Sequence, residues 1–93
     1  PMAKDPGVGY RIVATVTAVK GQCTAGLEVG DTFEIGCHDP NGLCGFFYHS
    51  LFPELQTFQF GGSMPWWQGD AFEAQCPDPQ NLVTLRLERF KRG

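Results

Sequence analysis

The stretch from Asn41 to Trp67 places the strongest constraint on what this chain can fold into. It contains five of the eight phenylalanines and both tryptophans of the 93 residues. A chain of this length buries only about 60% of the surface that it exposes when unfolded, so these aromatic side chains must form much of the core. Within the stretch, apolar residues recur with the spacing of one helix face, at Phe47, Leu51, Leu55 and Phe58. This pattern predicts a helix that packs through that face.

A proline inside the predicted helix complicates its course. The ring of Pro53 would clash with the carbonyl oxygen four residues earlier. We therefore expect a kink, with two helical pieces at 43–51 and 53–58. Asn41 is the best available N-cap, and the glycine pair at 61–62 is expected to end the second piece.

The segments on both sides of the helix alternate between apolar and polar residues, which is typical of strands with one buried face. The clearest is 10–20, although Val13 and Val19 break its alternation. Its predicted inner face consists of Tyr10, Ile12, Ala14, Val16 and Ala18. Three more strands are predicted, at 31–36, 70–76 and 82–90. The order β-β-α-β-β predicts an α+β domain: a four-stranded, mainly antiparallel sheet with one kinked helix packed on a face.

Residues 10–93 are predicted to form this single domain, after a flexible lead at 1–9. The lead is polar and contains proline and glycine, and Pro1 before Met2 is interpreted as a cloning scar. The chain shows neither the apolar segment of a signal peptide nor a run of about 20 apolar residues. We therefore expect no membrane segment and a cytoplasmic protein whose thiols are reduced.

The charge of the chain argues against a nucleic-acid partner. The net charge is −3 and the pI is about 5.1, whereas domains that bind nucleic acids usually present a basic surface. One basic cluster lies near the C-terminus and is interpreted as a charged tail; it consists of Arg86, Arg89, Lys91 and Arg92.

The four cysteines are the main chemical feature, and they lie at Cys23, Cys37, Cys44 and Cys76. None forms a C-x-x-C motif, so neither a zinc ribbon nor a thioredoxin-type dithiol is indicated. Each lies at or just beyond the end of a predicted element. If the first two strands form a hairpin, Cys37, Cys44 and Cys76 share one end of the sheet, and Cys23 lies at the other end.

This placement leaves three interpretations open. Three thiolates and one imidazole are a known zinc set, and thiolates also hold iron–sulfur clusters. The candidate ligands are Cys44, Cys76, Cys37, Cys23 and His49, with His38 near the same end. Alternatively, the cysteines pack as small apolar residues, or Cys44 and His49 form a nucleophilic or redox pair.

The adjacent tryptophans Trp66 and Trp67 form the second candidate site. Two neighbouring side chains in a glycine-bordered loop cannot both point inward easily, so we expect one to pack on the helix. The other is expected to form a lid, a ligand wall or a subunit contact, since tryptophan is a frequent interface anchor. With Phe47 and Tyr48, these residues are the candidate pocket or interface. The interface interpretation predicts a homo-oligomer or a protein partner.

An ordered set of residues extends over nearly the whole chain, from Tyr10 to Phe90. After the first strand, it consists of Cys23, Gly30-Asp31-x-Phe33, Gly42-x-Cys44, Pro53, Gly61-Gly62, Pro65-Trp66, Cys76-x-Asp78 and Leu87-Glu88-Arg89. In this set the chain resembles an uncharacterised family of small prokaryotic proteins of about the same length. The resemblance implies a stand-alone domain. It assigns no catalytic residue, because no activity is established for the family.

The family pattern and the strand geometry disagree about the cysteines. The pattern contains Cys23, Cys44 and Cys76 but not Cys37, whereas the hairpin argument favours Cys37. Cys44 and Cys76 satisfy both arguments and are therefore the first candidates. For Glu88-Arg89 in the last strand we expect surface or edge pairs.

These observations support three hypotheses about function. The leading one is a small cytosolic accessory or binding protein with a cysteine-based metal or iron–sulfur site beside a Trp-walled pocket. The second is a small thiol-dependent enzyme that uses Cys44 with His49. The third is a structural, homo-oligomeric interaction module with core cysteines. The sequence leaves open whether the protein is an enzyme.

Overall fold

The structure, a computed structural model, describes residues 3–93. Its elements are β1 (Arg11–Val19), β2 (Thr32–Ile35), α1 (Gly45–Gln59), β3 (Ala71–Gln75) and β4 (Val83–Phe90). The strands form one antiparallel sheet in the order β2-β1-β4-β3. This arrangement confirms the predicted α+β fold with the order β-β-α-β-β. Pro1 and Met2, interpreted as a cloning scar, lie outside the described residues.

The core lies between α1 and one face of the sheet. Alternate residues of β1 and β4 point into it, so that Ala14 pairs with Leu87 and Val16 with Leu85. The helical stripe predicted from the sequence is buried in full, with Phe47, Leu51, Leu55 and Phe58 all below 3% exposure. The other face of the sheet is polar, and there the hydroxyls of Thr15 and Thr32 lie 2.9 Å apart.

A β-bulge in β1 explains why the alternation of its sequence fails. Val16 pairs with Leu85 and Ala18 with Thr84, so Thr17 is an extra residue in the ladder. A bulge of one residue exchanges the two faces of the strand beyond it. Ala18, predicted to face inward, is therefore exposed, and Val19 packs against the core.

The expectation of two helical pieces is wrong, because α1 runs through Pro53 without interruption. Proline removes one backbone hydrogen bond, which leaves the carbonyl group of His49 without its helical partner. Both Pro53 and His49 lie on the exposed side of the helix, where water can bind that carbonyl. The loss therefore costs less than it would on the buried side.

Asn41 is not the N-cap of the helix, which is a second correction. The N-cap is Cys44, and no side chain of the described residues caps it. Asn41 and Gly42 instead have φ values of 48° and 87° in a turn that the N–H of Leu43 closes by donating to Pro40 O (3.0 Å). The Asn41 side chain donates to Glu34 O at 2.7 Å. The turn uses asparagine and glycine because both adopt left-handed backbone conformations readily.

The glycine pair ends the helix as predicted. Gly61 has a φ of 86°, and the N–H of Gly62 donates to Thr57 O at 2.8 Å, which is the Schellman pattern. Arg89 of β4 reinforces this end. Its Nη1 donates to Phe58 O (2.9 Å) and to Gly62 O (2.7 Å).

Arg89 therefore corrects the expectation of a surface pair, since only 9% of it is exposed. Its Nε donates to Asp70 Oδ1 at 3.0 Å, and its guanidinium lies over the rings of Phe58 and Tyr10. A buried guanidinium needs partners for its donors and its charge. The carbonyl end of α1 and the carboxylate of Asp70 supply them.

Part of the predicted lead contacts the domain. Asp5 forms an ion pair with Arg92 (3.3 Å), and Val8 O accepts a hydrogen bond from Gln59 Nε2 at 3.0 Å. Gly9 O accepts from Arg92 Nε, also at 3.0 Å. The division of the chain at residue 10 stays a prediction.

Candidate functional site

A cavity of about 470 Å³ opens at one end of the sheet. Three of the four cysteines line it: Cys23 follows β1, Cys44 precedes α1, and Cys76 follows β3. All are half-buried, and within the described chain each is a free thiol. We call this site the cysteine cavity. Cysteines from three chain segments that are distant in sequence thus line the same cavity.

Strand direction explains this convergence. Both β1 and β3 run antiparallel to β4, so they are parallel to each other and end on the same side of the sheet. Cys23 and Cys76 follow these two ends. β2 runs against β1, with Ile35 opposite Ile12, so Cys37 emerges at the opposite side.

The hairpin argument was therefore wrong about two cysteines. It grouped Cys37 with Cys44 and Cys76 and excluded Cys23, whereas the structure does the reverse. The error lay in the assumption that the helix begins at the end of the sheet where β2 finishes. The end of α1 lies there instead, since Gln59 O accepts the N–H of Tyr10 at 2.8 Å, so Cys44 and the end of β3 lie at the other side with Cys23.

The loop that carries Cys23 is held against the turn that follows Cys76. Asn81 Oδ1 accepts the N–H of Gln22 at 3.1 Å, and Asn81 Nδ2 donates to Asp78 Oδ2 at 3.1 Å. The backbone N–H of Gln80 donates to Asp78 Oδ1 at 2.9 Å. This hydrogen bond, followed by that of the Asn81 side chain, holds the pKa of Asp78 below its ordinary value.

Gly21 permits this close contact between the two segments. A Cβ atom at this position would collide with Asn81 Oδ1 and would lie 3.1 Å from Gln80 O. The sequence analysis left residues 77–81 as the connection between the last two predicted strands and named Asp78 only in the family pattern, so it missed the contribution of Asp78 and Asn81 to the site. The available signal was the pair of Asx residues in this turn, since such side chains commonly bind backbone N–H groups.

Cys76 has the most defined surroundings of the three cavity thiols. Its Sγ accepts the backbone N–H of Val83 at 3.2 Å, and its S–H donates weakly to Asp78 O at 3.9 Å. These two backbone contacts hold the Cys76 sulfur in place at the edge of the cavity.

The walls of the cysteine cavity are mostly apolar. Phe47 forms part of the floor and is 1% exposed, while Phe46 at the rim is 81% exposed. Leu27 and Val83 also belong to the apolar lining. Pockets of 300–1,000 Å³ with such linings are typical of small-ligand sites.

His49 does not join the thiols. It is exposed, it does not line the cysteine cavity, and among residues 3–93 no hydrogen bond links it to Cys44. No group of three or more His, Cys, Asp or Glu side chains within this range lies close enough to hold a metal ion. The four-ligand set of three thiolates and one imidazole is therefore not assembled around a single point.

Cys37 occupies a separate site near the end of α1. Its N–H donates to Gln59 Oε1 at 2.8 Å, and its carbonyl accepts from the Tyr48 hydroxyl at 3.0 Å. Tyr48 also donates to Gly36 O at 2.7 Å. Burial raises the pKa of the Cys37 thiol and, together with the charges of Cys37 and Asp39, the pKa of Tyr48. These contacts give Cys37 and Tyr48 a structural role.

Of the two tryptophans, one packs inward and the other is exposed, and a lid, ligand-wall or interface role for the exposed one stays a prediction. Trp67 stacks on Phe72, with ring centroids 4.5 Å apart, and meets Phe58 of α1 edge-on at 5.5 Å. Trp66 is 71% exposed. Both line a groove of about 310 Å³ with Glu54 and other residues, none of which lines the cysteine cavity. Phe46 and Phe47, not the tryptophans, are the aromatic walls beside the thiols.

Comparison with protein-family models, curated proteins and solved structures found no match to this chain. The resemblance to a family of small prokaryotic proteins therefore stays a prediction. The three cysteines in that pattern are those that line the cavity. No helix of residues 3–93 is long and apolar enough to cross a membrane.

Proposed function

We propose that this chain is a small accessory protein that binds its ligand in the cysteine cavity through Cys23, Cys44 and Cys76. The ligand is a thiophilic metal centre, either a metal ion or an iron–sulfur cluster, and its binding must draw the thiols closer together, because residues 3–93 as they stand contain no group that could hold a metal ion. One observation carries the proposal: three free thiols from three separate chain segments line one open cavity of about 470 Å³.

The placement of the thiols supports binding over simple packing. The fully buried core of the described residues consists of aliphatic and aromatic side chains together with Ala14 and Ala74, and the cysteines pack against this core without belonging to it. Unreactive structural cysteines are usually among the most buried residues. Cys23, Cys44 and Cys76 are instead half-buried at the edge of the core, where a ligand can reach them.

The surroundings of the thiols favour binding over nucleophilic catalysis. A catalytic cysteine needs a nearby base, but His49 lies outside the cavity. Asp78 is the carboxylate in the lining, and both of its oxygens already accept hydrogen bonds from Gln80 and Asn81.

The free thiols also support a cytoplasmic location, because cysteines remain reduced in that compartment.

The exposed rings of Trp66 and Phe46 favour a second candidate function, an interaction module that docks on a second copy or another protein. Light scattering tests this alternative: Trp66→Lys should turn an oligomer into a monomer. A wild-type monomer that captures no protein partner would count against it.

Metal analysis of anaerobically purified protein tests the main proposal. We expect wild-type protein to contain stoichiometric metal, and Cys44→Ser and Cys76→Ser to lose it. Cys37→Ser is the matched control, because Cys37 lies away from the cavity, and it should retain the metal. Wild-type protein without metal, purified without oxygen or chelators, would overturn the proposal.

A further inference from the structure

We infer that the outer edge of β3 is an interface at which two copies of this chain pair across a two-fold axis, with Glu73 of each copy opposite Gln75 of the other. The pairing joins the two four-stranded sheets into one continuous antiparallel sheet. This inference goes beyond the proposed function and does not depend on metal binding. It follows from the state of the two sheet edges, from the groups that each register brings together, and from an exposed tryptophan beside β3.

The outer edge of β2 is closed by the loop that follows this strand. Gly36 and Asp39 exchange two backbone hydrogen bonds, of 3.0 and 3.2 Å. The carbonyl oxygen of Glu34 accepts from Asn41 Nδ2 at 2.7 Å. A covered edge offers few backbone groups to another chain, so the other edge of the sheet, β3, is the candidate for an interface.

The hydrogen bonds at the two ends of β3 show which of its backbone groups face β4. Asp70 O accepts the N–H of Arg89 at 2.9 Å, and the N–H of Cys76 donates to Val83 O at 3.0 Å. The backbone N–H and C=O groups of successive residues in an antiparallel strand point alternately to its two sides. The even-numbered residues of β3 therefore bond to β4, and the odd-numbered residues present their backbone groups at the outer edge.

Two of the odd-numbered residues have an open backbone. Ala71 forms a bridge with Gln68 on the outer side, so its groups are covered. Within residues 3–93, no such partner lies opposite the outward N–H and C=O groups of Glu73 and Gln75. Unpaired groups at a sheet edge are a template for a further strand, and each residue supplies one donor and one acceptor.

One register of two antiparallel copies uses all of these groups. When Glu73 lies opposite Gln75 of the second copy, each such pair exchanges two hydrogen bonds and the two-fold axis passes at Ala74. A register with Glu73 opposite Glu73 brings two carboxylates together and sets Gln75 against the covered Ala71. A register with Gln75 opposite Gln75 sets Glu73 against Pro77, which has no N–H. The edge is therefore most complementary to a second copy of itself, in the first register.

The exposed ring of Trp66 lies beside the same edge. It lines the groove of about 310 Å³ together with Glu54 of α1, Glu73 of β3 and Arg86 of β4. Glu54 belongs to the helix layer, whereas Glu73 and Arg86 are exposed residues between inward-facing neighbours on their strands. The groove thus passes around the sheet at β3, where a second copy that pairs with this strand reaches it. Trp66, which is 71% exposed, supplies apolar area to the interface.

Analytical ultracentrifugation over an about 100-fold range of protein concentration tests the inference. We expect the wild type to form a dimer and no larger species, because each copy has one open edge. Gln75→Pro should remain monomeric, since it removes an outward N–H that β4 does not use, and proline is tolerated at such positions of edge strands. Gln75→Thr is the matched control, because it keeps this N–H, and it should dimerise like the wild type. Circular dichroism checks that both variants are folded.

Charge substitutions test the register without changing the backbone. Gln75→Lys places opposite charges at two symmetric positions and should tighten the dimer by about 2- to 30-fold, whereas Gln75→Glu should weaken it by a similar factor. Combining Gln75→Glu with Glu73→Lys recreates the pairs of opposite charge and should restore the dimer. Equal dissociation constants for Gln75→Lys and Gln75→Glu would overturn the inference.

Other outcomes separate this inference from the two candidate functions. Wild-type protein that stays monomeric over the whole range overturns it, even if an extended peptide of another protein binds at β3. A dimer that survives in folded Gln75→Pro but is lost in Trp66→Lys forms through another surface, which overturns the inference and leaves the interaction module intact. Protein that binds no metal but dimerises as described supports the inference and refutes the metal-binding proposal.

Discussion

The guanidinium of Arg89 donates a hydrogen bond from Nη1 to the carbonyl oxygen of Phe58, at 2.9 Å, and thereby joins the last strand to the end of the helix. The same nitrogen binds Gly62 O at 2.7 Å. Carbonyls in the last turn of a helix lack helical partners and carry partial negative charge. A buried cation that binds two such carbonyls stabilises both the helix end and its position on the sheet.

Arg89→Met should therefore lower the free energy of unfolding by about 2–4 kcal/mol, because it removes the hydrogen bonds to Phe58 O and Gly62 O together with the ion pair to Asp70. Arg86→Met is the matched control, since Arg86 lies on the same strand and faces solvent. It should change the stability by less than about 0.5 kcal/mol. Urea unfolding of the three proteins measures both effects, and equal losses for the two variants would contradict the proposed role of Arg89.

Arg89 also illustrates what the sequence could predict about the fold. Alternation in β4 and the helical spacing of Phe47, Leu51, Leu55 and Phe58 identify the elements and their buried faces, because burial imposes these periods. A charged residue at an inward position of β4 conflicts with that logic. The structure resolves this conflict because the carbonyl groups at the end of α1 bind the guanidinium. The position of the helix end over β4 depends on tertiary structure, which the alternation of residues does not reveal.

The same limit applies to the candidate site. The sequence identified Cys44 and Cys76 as the first candidates, and both line the cavity. It could not choose between Cys23 and Cys37 by geometry, because the choice depends on the end of the sheet at which α1 begins. That end is set by tertiary contacts between distant residues, such as the hydrogen bond from the N–H of Tyr10 to Gln59 O at 2.8 Å, which places the end of α1 beside the start of β1.

The contact between Gly21 and Asn81 gives a prediction about the cavity. Gly21→Ala should displace the Asn81 side chain, break its hydrogen bond to Gln22, and loosen the loop that carries Cys23. We expect Cys23 to react faster with iodoacetamide, as measured by peptide mass spectrometry. Gly45→Ala is the control, because a Cβ there meets no described atom within 4 Å, and it should leave this rate unchanged. Unchanged labelling of Cys23 in Gly21→Ala would show that Asn81 does not hold the loop.

Asp78 gives a prediction about pH. Hydrogen bonds from Gln80 and Asn81 lower its pKa in the folded protein, whereas an aspartate in an unfolded chain titrates near about 3.9. The contribution of these hydrogen bonds to stability is therefore fully present above the pKa of the unfolded chain. It is lost as the pH falls through the lower pKa of the folded protein. At pH 7, Asp78→Asn should be less stable than the wild type, because an amide nitrogen cannot accept the bond from Asn81 Nδ2.

Denaturant unfolding at several pH values checks this prediction through the difference in the free energy of unfolding between the wild type and Asp78→Asn. The difference should be constant from about pH 7 to pH 5 and should shrink below about pH 4. Using the difference removes the contribution of Asp5, whose pKa is also lowered, chiefly by a hydrogen bond from the N–H of Gly7. A difference that stays constant into acid would mean that the ionised form of Asp78 contributes nothing.

The neighbouring tryptophans should respond very differently to substitution, although they are adjacent in the sequence. Trp67 stacks on Phe72 and meets Phe58 edge-on, so Trp67→Ala should remove about 2–4 kcal/mol from the free energy of unfolding. Trp66 is 71% exposed, so Trp66→Ala should change the stability of the monomer by less than about 0.5 kcal/mol. Thermal unfolding at two protein concentrations measures both effects. If Trp66→Ala destabilises the protein strongly at high protein concentration but not at low concentration, the ring is buried between copies. The reason is that only stability gained from association depends on protein concentration.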